Sequence, residues 1–289
     1  MENVDKGKGP FRYLIVVTVI SMVLIILNVL LGMRIPFTVD FLVGYVGAML
    51  IFVVWHAVLS KGWKRSLLMF GLSFLVAFTA EALGVNFGLV FGHYYYTKLL
   101  GLSLFGVPLL AALAWEPIVY AAFCISDMLT LRGASSSHAF KQITSPIWAA
   151  AIGAFATTAW DMMIDPIAVS QGWWAWENGG PYVPYVAHGV PIQNFVGWLG
   201  VAFVINLIYR KIADGMDQNT SSSVAFYGPL TLYCSLFLTA FGVAITILER
   251  PEVALIGMLA MGPFIVIALT NLPAFIFNLN HLSTTVTKP

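Results

Sequence analysis

The sequence predicts an all-α, polytopic membrane helix bundle with about eight transmembrane helices, and three observations predict it. Of 289 residues, 60% are hydrophobic and 9% are charged, against about 25% charged in an ordinary soluble domain. The apolar residues fall into runs of about twenty, each long enough to cross a hydrocarbon layer of roughly 30 Å. Basic residues gather in alternate loops between those runs. The net charge of +1 excludes the basic surface of a nucleic-acid binder, and the hydrophobicity excludes a disordered chain. The chain reads as a single integral membrane domain over 1–289, with its motif-rich core at 66–210.

The elements follow in order. A first span is expected at 12–33, behind Lys6, Lys8 and Arg12; no small-residue cleavage site follows, so it reads as retained. Pro36 opens the second, at 37–60, and Lys61, Lys64 and Arg65 precede the third, at 66–84. The fourth, at 104–131, has Pro108 near its start; the fifth, at 146–169, begins on Pro146; the sixth, at 192–209, follows Pro191. The last two are expected at 224–248 and 253–278. One set of loops and ends carries eleven Lys and Arg, and the other only Arg34, Lys98 and Arg250. By the positive-inside rule both termini are expected in the cytoplasm. Cys124 and Cys234 lie in apolar runs without CxxC or zinc spacing and read as small buried hydrophobes.

Two outer loops, 85–103 and 170–191, are rich in Tyr and Trp. An interfacial aromatic belt accounts for part of this, but the opposite ends lack such clusters. An internal echo links the two loops. Glu81 is followed by an aromatic stretch, Gly106-Val107-Pro108 and Trp115; Asp165 is followed by an aromatic stretch, Gly189-Val190-Pro191 and Trp198. Carboxylate-to-proline spacings are 27 and 26 residues, and proline-to-tryptophan is seven in both. The pattern implies a parallel repeat of 66–131 and 146–209, with Glu81 and Asp165 facing one cavity; chance similarity in an apolar sequence is the competing explanation.

Ionisable groups within spans are costly and mark cavities or partners. Here they are Asp40, His56, Glu81, Glu116, Asp127, Asp161 and Asp165, nearly all acidic, with no cation at like depth. Such a set suits proton donation better than anion binding. Asp161 and Asp165 are spaced i, i+4 on one helix face, which Thr158 extends. Glu116 is near midplane and precedes Pro117, which frees a carbonyl near Leu113. Asp40 and Asp127 read as interfacial anchors, His93 and His188 as interfacial histidines, and Asn28, Asn206 and Asn271 as interhelical glue; His56 has no evident partner. Interhelical hydrogen bonding is the packing-only alternative for the trio Glu81, Asp161 and Asp165, although Asn or Thr would serve it at lower cost.

The string Trp160-Asp161-Met162-Met163-Ile164-Asp165-Pro166, then Gly172-Trp173-Trp174-Ala175-Trp176, then Gly189-Val190-Pro191-Ile192-Gln193-Asn194-Phe195-Val196-Gly197-Trp198 resembles the membrane carotenoid-biosynthesis hydratases. That family includes bisanhydrobacterioruberin hydratases and hydratases of the open end of γ-carotene. Glu81-Ala82-Leu83-Gly84-Val85, Phe91-Gly92-His93-Tyr94-Tyr95-Tyr96-Thr97 and Gly106-Val107-Pro108 are similar to its other half, so the likeness covers roughly 66–210. The segment 179–188 is longer than the family pattern, and His188 stands where an aromatic precedes Gly-Val-Pro.

The resemblance implies addition of water to the terminal isopropylidene double bond of a long polyene, giving a tertiary alcohol. That chemistry needs a neutral carboxylic acid to protonate the alkene, aromatic faces to stabilise the cation, and a base for the attacking water. Asp161, Asp165 and Glu81 are the expected catalytic acids and bases; Tyr94, Tyr96, Trp115, Glu116, Trp173, Trp176, Asn194 and Trp198 are the expected substrate contacts, with Asn194 a candidate to hold the water. No metal or other cofactor is expected. The expected partners are the lipid bilayer and a membrane-embedded carotenoid or related isoprenoid, with no nucleic acid. Two alternatives stay open. Asp161-x-x-x-Asp165 could hold magnesium in a membrane prenyltransferase, although Lys98 is the only cation near it. A proton-coupled transporter or lipophile-binding membrane protein would also use buried acids.

Overall fold

The computed structural model describes residues 39–130, 145–178, 180–184, 189–214 and 224–286, with Val16 and Met216. Apart from Val16, the expected first span lies outside the described residues, as does His188. The other seven spans are present as helices long and apolar enough to cross a membrane. They are α1 (Val39–Lys61), α2 (Trp63–Phe87), α3 (Leu109–Thr130), α4 (Pro146–Ser170), α5 (Ile192–Ala213), α6 (Val224–Thr246) and α7 (Pro251–Val286). The chain is a polytopic all-α bundle.

Local chemistry sets the helix ends. Gly88, at φ 68°, closes α2 in the left-handed conformation, and its N–H returns to the Gly84 carbonyl. Pro146 begins α4, where a missing N–H costs nothing. The start of α3 differs from the expected 104. Phe105 (φ 49°) and Gly106 (φ 80°) both take positive φ between β2 (Ser103–Leu104) and β3 (Val107–Pro108), which pair antiparallel. Two successive positive φ values fit the twist of a two-residue hairpin, so the helix starts only at Leu109.

The aromatic loops also contain strand. β1 (His93–Tyr96) pairs antiparallel with β4 (Trp174–Asn178), with Tyr96 opposite Trp174 and Tyr94 opposite Trp176. Beyond β4, Tyr182 bridges to Pro191 as β2 does to β3, and Gly189 (φ 71°) takes the place of Gly106. The two aromatic segments, separated by about eighty residues of chain, thus form one ribbon over the ends of α2 and α4.

The core of the bundle is α3 and α4. The apolar stretch of α3 is 72% buried, and α4 packs mainly on α5 and α3. Asn206 lies against Gly153, where an added Cβ would come within 2.7 Å of its Oδ1, and Asn271 Nδ2 donates to the Met128 carbonyl at 3.4 Å. At the ends bearing the basic residues, Arg210 pairs with Asp127 at 2.7 Å and lies 4.1 Å from the Phe123 ring centroid. Asp127 is therefore an ion-paired clamp between α3 and α5. His56 does have a partner: its Nδ1 is 2.6 Å from the Tyr120 hydroxyl. Tyr120 comes from a helix 64 residues further along the chain, beyond the reach of spacing arguments.

Candidate functional site

Glu81 lies 18 residues along α2 from Trp63 and Asp165 lies 19 along α4 from Pro146. At 1.5 Å per residue both are roughly 27–28 Å from the starts of their helices. The ribbon of β1 and β4 crosses just beyond them. Strand alternation then points Tyr94 and Tyr96 to one face, and Trp174 and Trp176 likewise.

Each carboxyl group is held by the ribbon and by the opposing helix. Glu81 Oε2 accepts from the hydroxyls of Tyr94 and Tyr96, the latter at 2.8 Å, while Oε1 accepts from Trp115 Nε1 at 2.9 Å. Asp165 Oδ1 accepts from Trp174 Nε1 at 3.1 Å. Asp165 Oδ2 accepts from Asn194 Nδ2, which also donates to Asp161 Oδ2 at 2.9 Å. One amide thus clamps the two acids of α4 from the first turn of α5. Asp161 Oδ1 is buried and has no hydrogen-bond partner among the described residues. All four side chains are buried, Glu81 at 4%, Asp165 and Asn194 at 2%, and Asp161 at 0% exposure.

Burial and the adjacent Glu81 carboxylate push the Tyr94 and Tyr96 phenols well above their ordinary range, and Asp165 adds to this at Tyr96. Both phenols are firm donors at neutral pH. Gly84 makes room for the first of them: a Cβ there would come within 2.7 Å of Tyr94 Cε1.

Glu81, Asp165 and Asn194 open onto one cavity of about 1020 Å³ of atom-free space, counted out to its open mouth. Its aromatic wall includes Trp115 and Trp198, stacked at 3.8 Å between centroids with 13° between planes. Phe91 packs on both rings, and its carbonyl accepts from Trp176 Nε1 at 2.9 Å. The rest of the lining is mainly aliphatic side chains of α1, α3, α4 and α6, with Tyr45 and Thr239 the hydroxyls among them. The arrangement is an apolar cavity that carries two carboxyl groups and a wall of aromatic faces. It can bring an apolar guest against proton donors and acceptors.

Of the residues expected from sequence, Glu81, Asp165, Tyr94, Tyr96, Trp115, Trp173, Trp176, Asn194 and Trp198 all line this cavity. Asp161 sits behind Asp165, joined to it through Asn194. Glu116 is buried but does not line the cavity; Ser73 of α2 faces it instead. The reason is rotational: Trp115 points to Glu81, and the next residue on a helix is turned by about 100°. Trp174 was not among the expected contacts, yet it is the ribbon's hydrogen bond to Asp165. The signal for it was strand alternation, which pairs Trp174 with Trp176 on one face, whereas Trp173 belongs to the turn before β4.

A family profile described as carotenoid biosynthesis protein matches residues 37–263. No curated protein and no solved structure matches the chain.

Proposed function

The chain belongs to the carotenoid biosynthesis protein family, and from that premise we propose that it is a cofactor-independent hydratase. It adds water across the terminal isopropylidene double bond of a long acyclic or monocyclic carotenoid to give a tertiary alcohol. The observation that carries this reading is the convergence of Glu81 and Asp165 on one apolar cavity with an aromatic wall.

A protonated carboxyl group of the set Asp161, Asp165 and Glu81 delivers its proton to the CH carbon of the terminal alkene. The cation forms at the carbon bearing two methyl groups. Facing aromatic rings such as Trp115, Trp198, Trp173 and Trp176 stabilise it, at about 0.5–2 kcal/mol per well-placed ring. Water then bonds to that carbon, and an ionised member of the set takes its proton. The sum is one water added, with no electron transferred and no net proton consumed. Tyr94 and Tyr96 orient Glu81, and Asn194 holds the α4 pair. The Asn194 amide donates to Oδ2 of both Asp161 and Asp165, and a shared donor there favours reading that pair as proton carriers rather than as cation ligands.

The proposed setting is the cell membrane, with both termini cytoplasmic and the carboxyl cluster toward the outer leaflet. The test is expression in a host that makes acyclic carotenoids without hydroxylated products, followed by mass analysis of the pigments. Addition of one water per reacting end is expected. Pigments of unchanged mass in the presence of folded protein would refute the reading.

A further inference from the structure

Among the described residues, the stretch from Lys98 to Gly106 carries a group of large apolar side chains that nothing in the bundle covers. Leu99, Leu102, Leu104 and Phe105 are all exposed, Leu102 and Phe105 at 75% and 70%. They lie outside the spans, on the short 3-10 helix Lys98–Leu100 and the hairpin of β2 and β3. Such a patch is unfavourable in water and marks a surface that meets something apolar.

The turn at the hairpin tip singles out Phe105. Phe105 and Gly106 both take positive φ, a geometry that favours Asn-Gly or Asp-Gly and penalises a bulky side chain. A polar residue would suit both this backbone and water better, so the exposed phenyl ring fits only an apolar surrounding. The turn is also fixed from behind. Asn86 Nδ2 donates to the Phe105 carbonyl at 2.9 Å, and the Leu109 N–H donates to the Leu102 carbonyl at 2.9 Å. Val85 packs so near Gly106 that an added Cβ would lie 2.9 Å from its Cγ1.

Asn86 ties this tip to the lipid-facing side of α2. At about 100° per residue, Leu75, Thr79 and Asn86 fall within roughly 40° of one another on that helix, and all three are exposed. The helix is long and apolar enough to cross the bilayer up to Phe87, so this stripe faces lipid. Charge agrees: between Ala82 and Ala114 the only Lys, Arg, Asp or Glu is Lys98, whose long stem lets its ammonium reach the headgroups. The other side of the same segment belongs to the cavity. Leu100, between exposed Leu99 and Leu102, is buried and lines it, and Leu110 lines it just beyond the hairpin.

We propose that residues 98–106 are a lip inserted into the hydrocarbon of the leaflet on the ribbon's side, which passes a membrane-dissolved hydrocarbon chain to the cavity. Insertion rests on the hairpin and on α2 alone; the identity of the guest as a carotenoid rests on the hydratase reading. In the leaflet Leu102, Leu104 and Phe105 are out of water. A guest leaving the lipid then moves over Leu99 and Leu102 to Leu100 and the cavity without crossing water.

Insertion is tested by placing the photoreactive residue p-benzoylphenylalanine at Phe105 and, as a control, at Glu177, whose ion pair with His93 is exposed. The full chain is irradiated in vesicles of a single phosphatidylcholine, and its adducts are read by mass spectrometry. A phospholipid adduct joined through the acyl chain is expected from the Phe105 position and none from the Glu177 position. Attachment to the headgroup, to this chain or to a second copy would overturn the insertion, as would no adduct, or an equal acyl adduct from the control. Delivery is tested with Phe105→Asn, which suits the turn and removes the apolar tip. Protein-bearing vesicles are fused with vesicles holding an acyclic carotenoid, and pigment retained by the extracted protein is read at successive times. The initial rate of capture should fall about 10-fold, the scale set by one phenyl ring withdrawn from an apolar surrounding, while the amount bound at equilibrium stays at its wild-type level. An unchanged rate would overturn the delivery role. Pigment binding by neither protein would instead overturn the carotenoid reading, and the photoadducts would still decide the lip.

Discussion

Trp115 and Trp198 stack face to face, 3.8 Å apart and 13° from parallel. Each stands seven residues beyond the proline of a Gly-Val-Pro turn. Their contact joins α3 to α5 at the cavity wall, as the ribbon of β1 and β4 joins the loops above α2 and α4. Corresponding parts of the two halves therefore meet each other. That is what a pseudo-twofold relation between 66–131 and 146–209 requires, and it puts Glu81 and Asp165 on one cavity.

The Trp115 indole does two things, and they separate in mutants. Trp115→Phe keeps a ring against Trp198 but removes the N–H that Glu81 Oε1 accepts at 2.9 Å. A hydrogen bond to a charged group is worth about 1.5–3 kcal/mol, so hydration should fall roughly 10- to 100-fold while the protein still folds. Pigment conversion per unit of folded protein, measured after size-exclusion chromatography, checks this.

The two acids of α4 should differ in severity. Asp165 faces the cavity, whereas Asp161 acts on it through the shared Asn194 amide. Asp165→Asn should cost about 10²–10⁴-fold in hydration, the range for a general acid or base, and Asp161→Asn should cost less. Carotenoid binding should survive in both, because the amide keeps size and polarity. Equal activity of Asp165→Asn and wild type would remove Asp165 from the proposed chemistry.

Gly84 is a steric test of how Tyr94 reaches Glu81. A valine there would collide with the Tyr94 ring and approach the Leu89 carbonyl, since even a Cβ lies at 2.7 and 3.3 Å from them. Overpacking of this kind costs about 1–3 kcal/mol, so Gly84→Val should lower both the thermal midpoint and hydration. Gly71 on the same helix has nothing within 4 Å of an added Cβ, and Gly71→Ala should leave both measurements at wild-type levels.

The phenols of Tyr94 and Tyr96 carry a pH signature. Their folded pKa values are raised by burial first and by the Glu81 carboxylate next. Below about pH 10, the ordinary tyrosine value, both folded and unfolded chains keep these phenols neutral, and their contribution to stability is constant. Above it only the unfolded chain ionises, so that stability is lost as pH rises toward the folded values. Tyrosinate absorbance of these two residues, isolated as the difference from a Tyr94→Phe, Tyr96→Phe double variant, should appear only together with alkaline unfolding.

Membrane orientation is checked most simply by a C-terminal tag. Reachability from the cytoplasmic side is the expected outcome of the eleven-to-three bias in Lys and Arg. Reachability only from outside would reverse the proposed topology.

The sequence by itself determined the seven spans seen among the described residues, because twenty apolar residues in a row have one stable solution in a bilayer and its length is written in the chain. It also placed Trp115 and Trp198 in equivalent positions, each seven residues beyond the proline of a Gly-Val-Pro turn. Only the tertiary structure decided what those groups touch. Trp174 reaches Asp165, Tyr96 reaches Glu81, and Glu116 turns aside to Ser73. Those outcomes depend on helix rotation and on the register of β1 against β4, where a slip of one residue would reverse every ring in the ribbon. Rotation and register are settled by contacts between segments about eighty residues apart, such as the pairing of Tyr96 with Trp174. Periodicity within either segment carries no trace of the other, so the pairing that builds the site arises only when the two halves pack together.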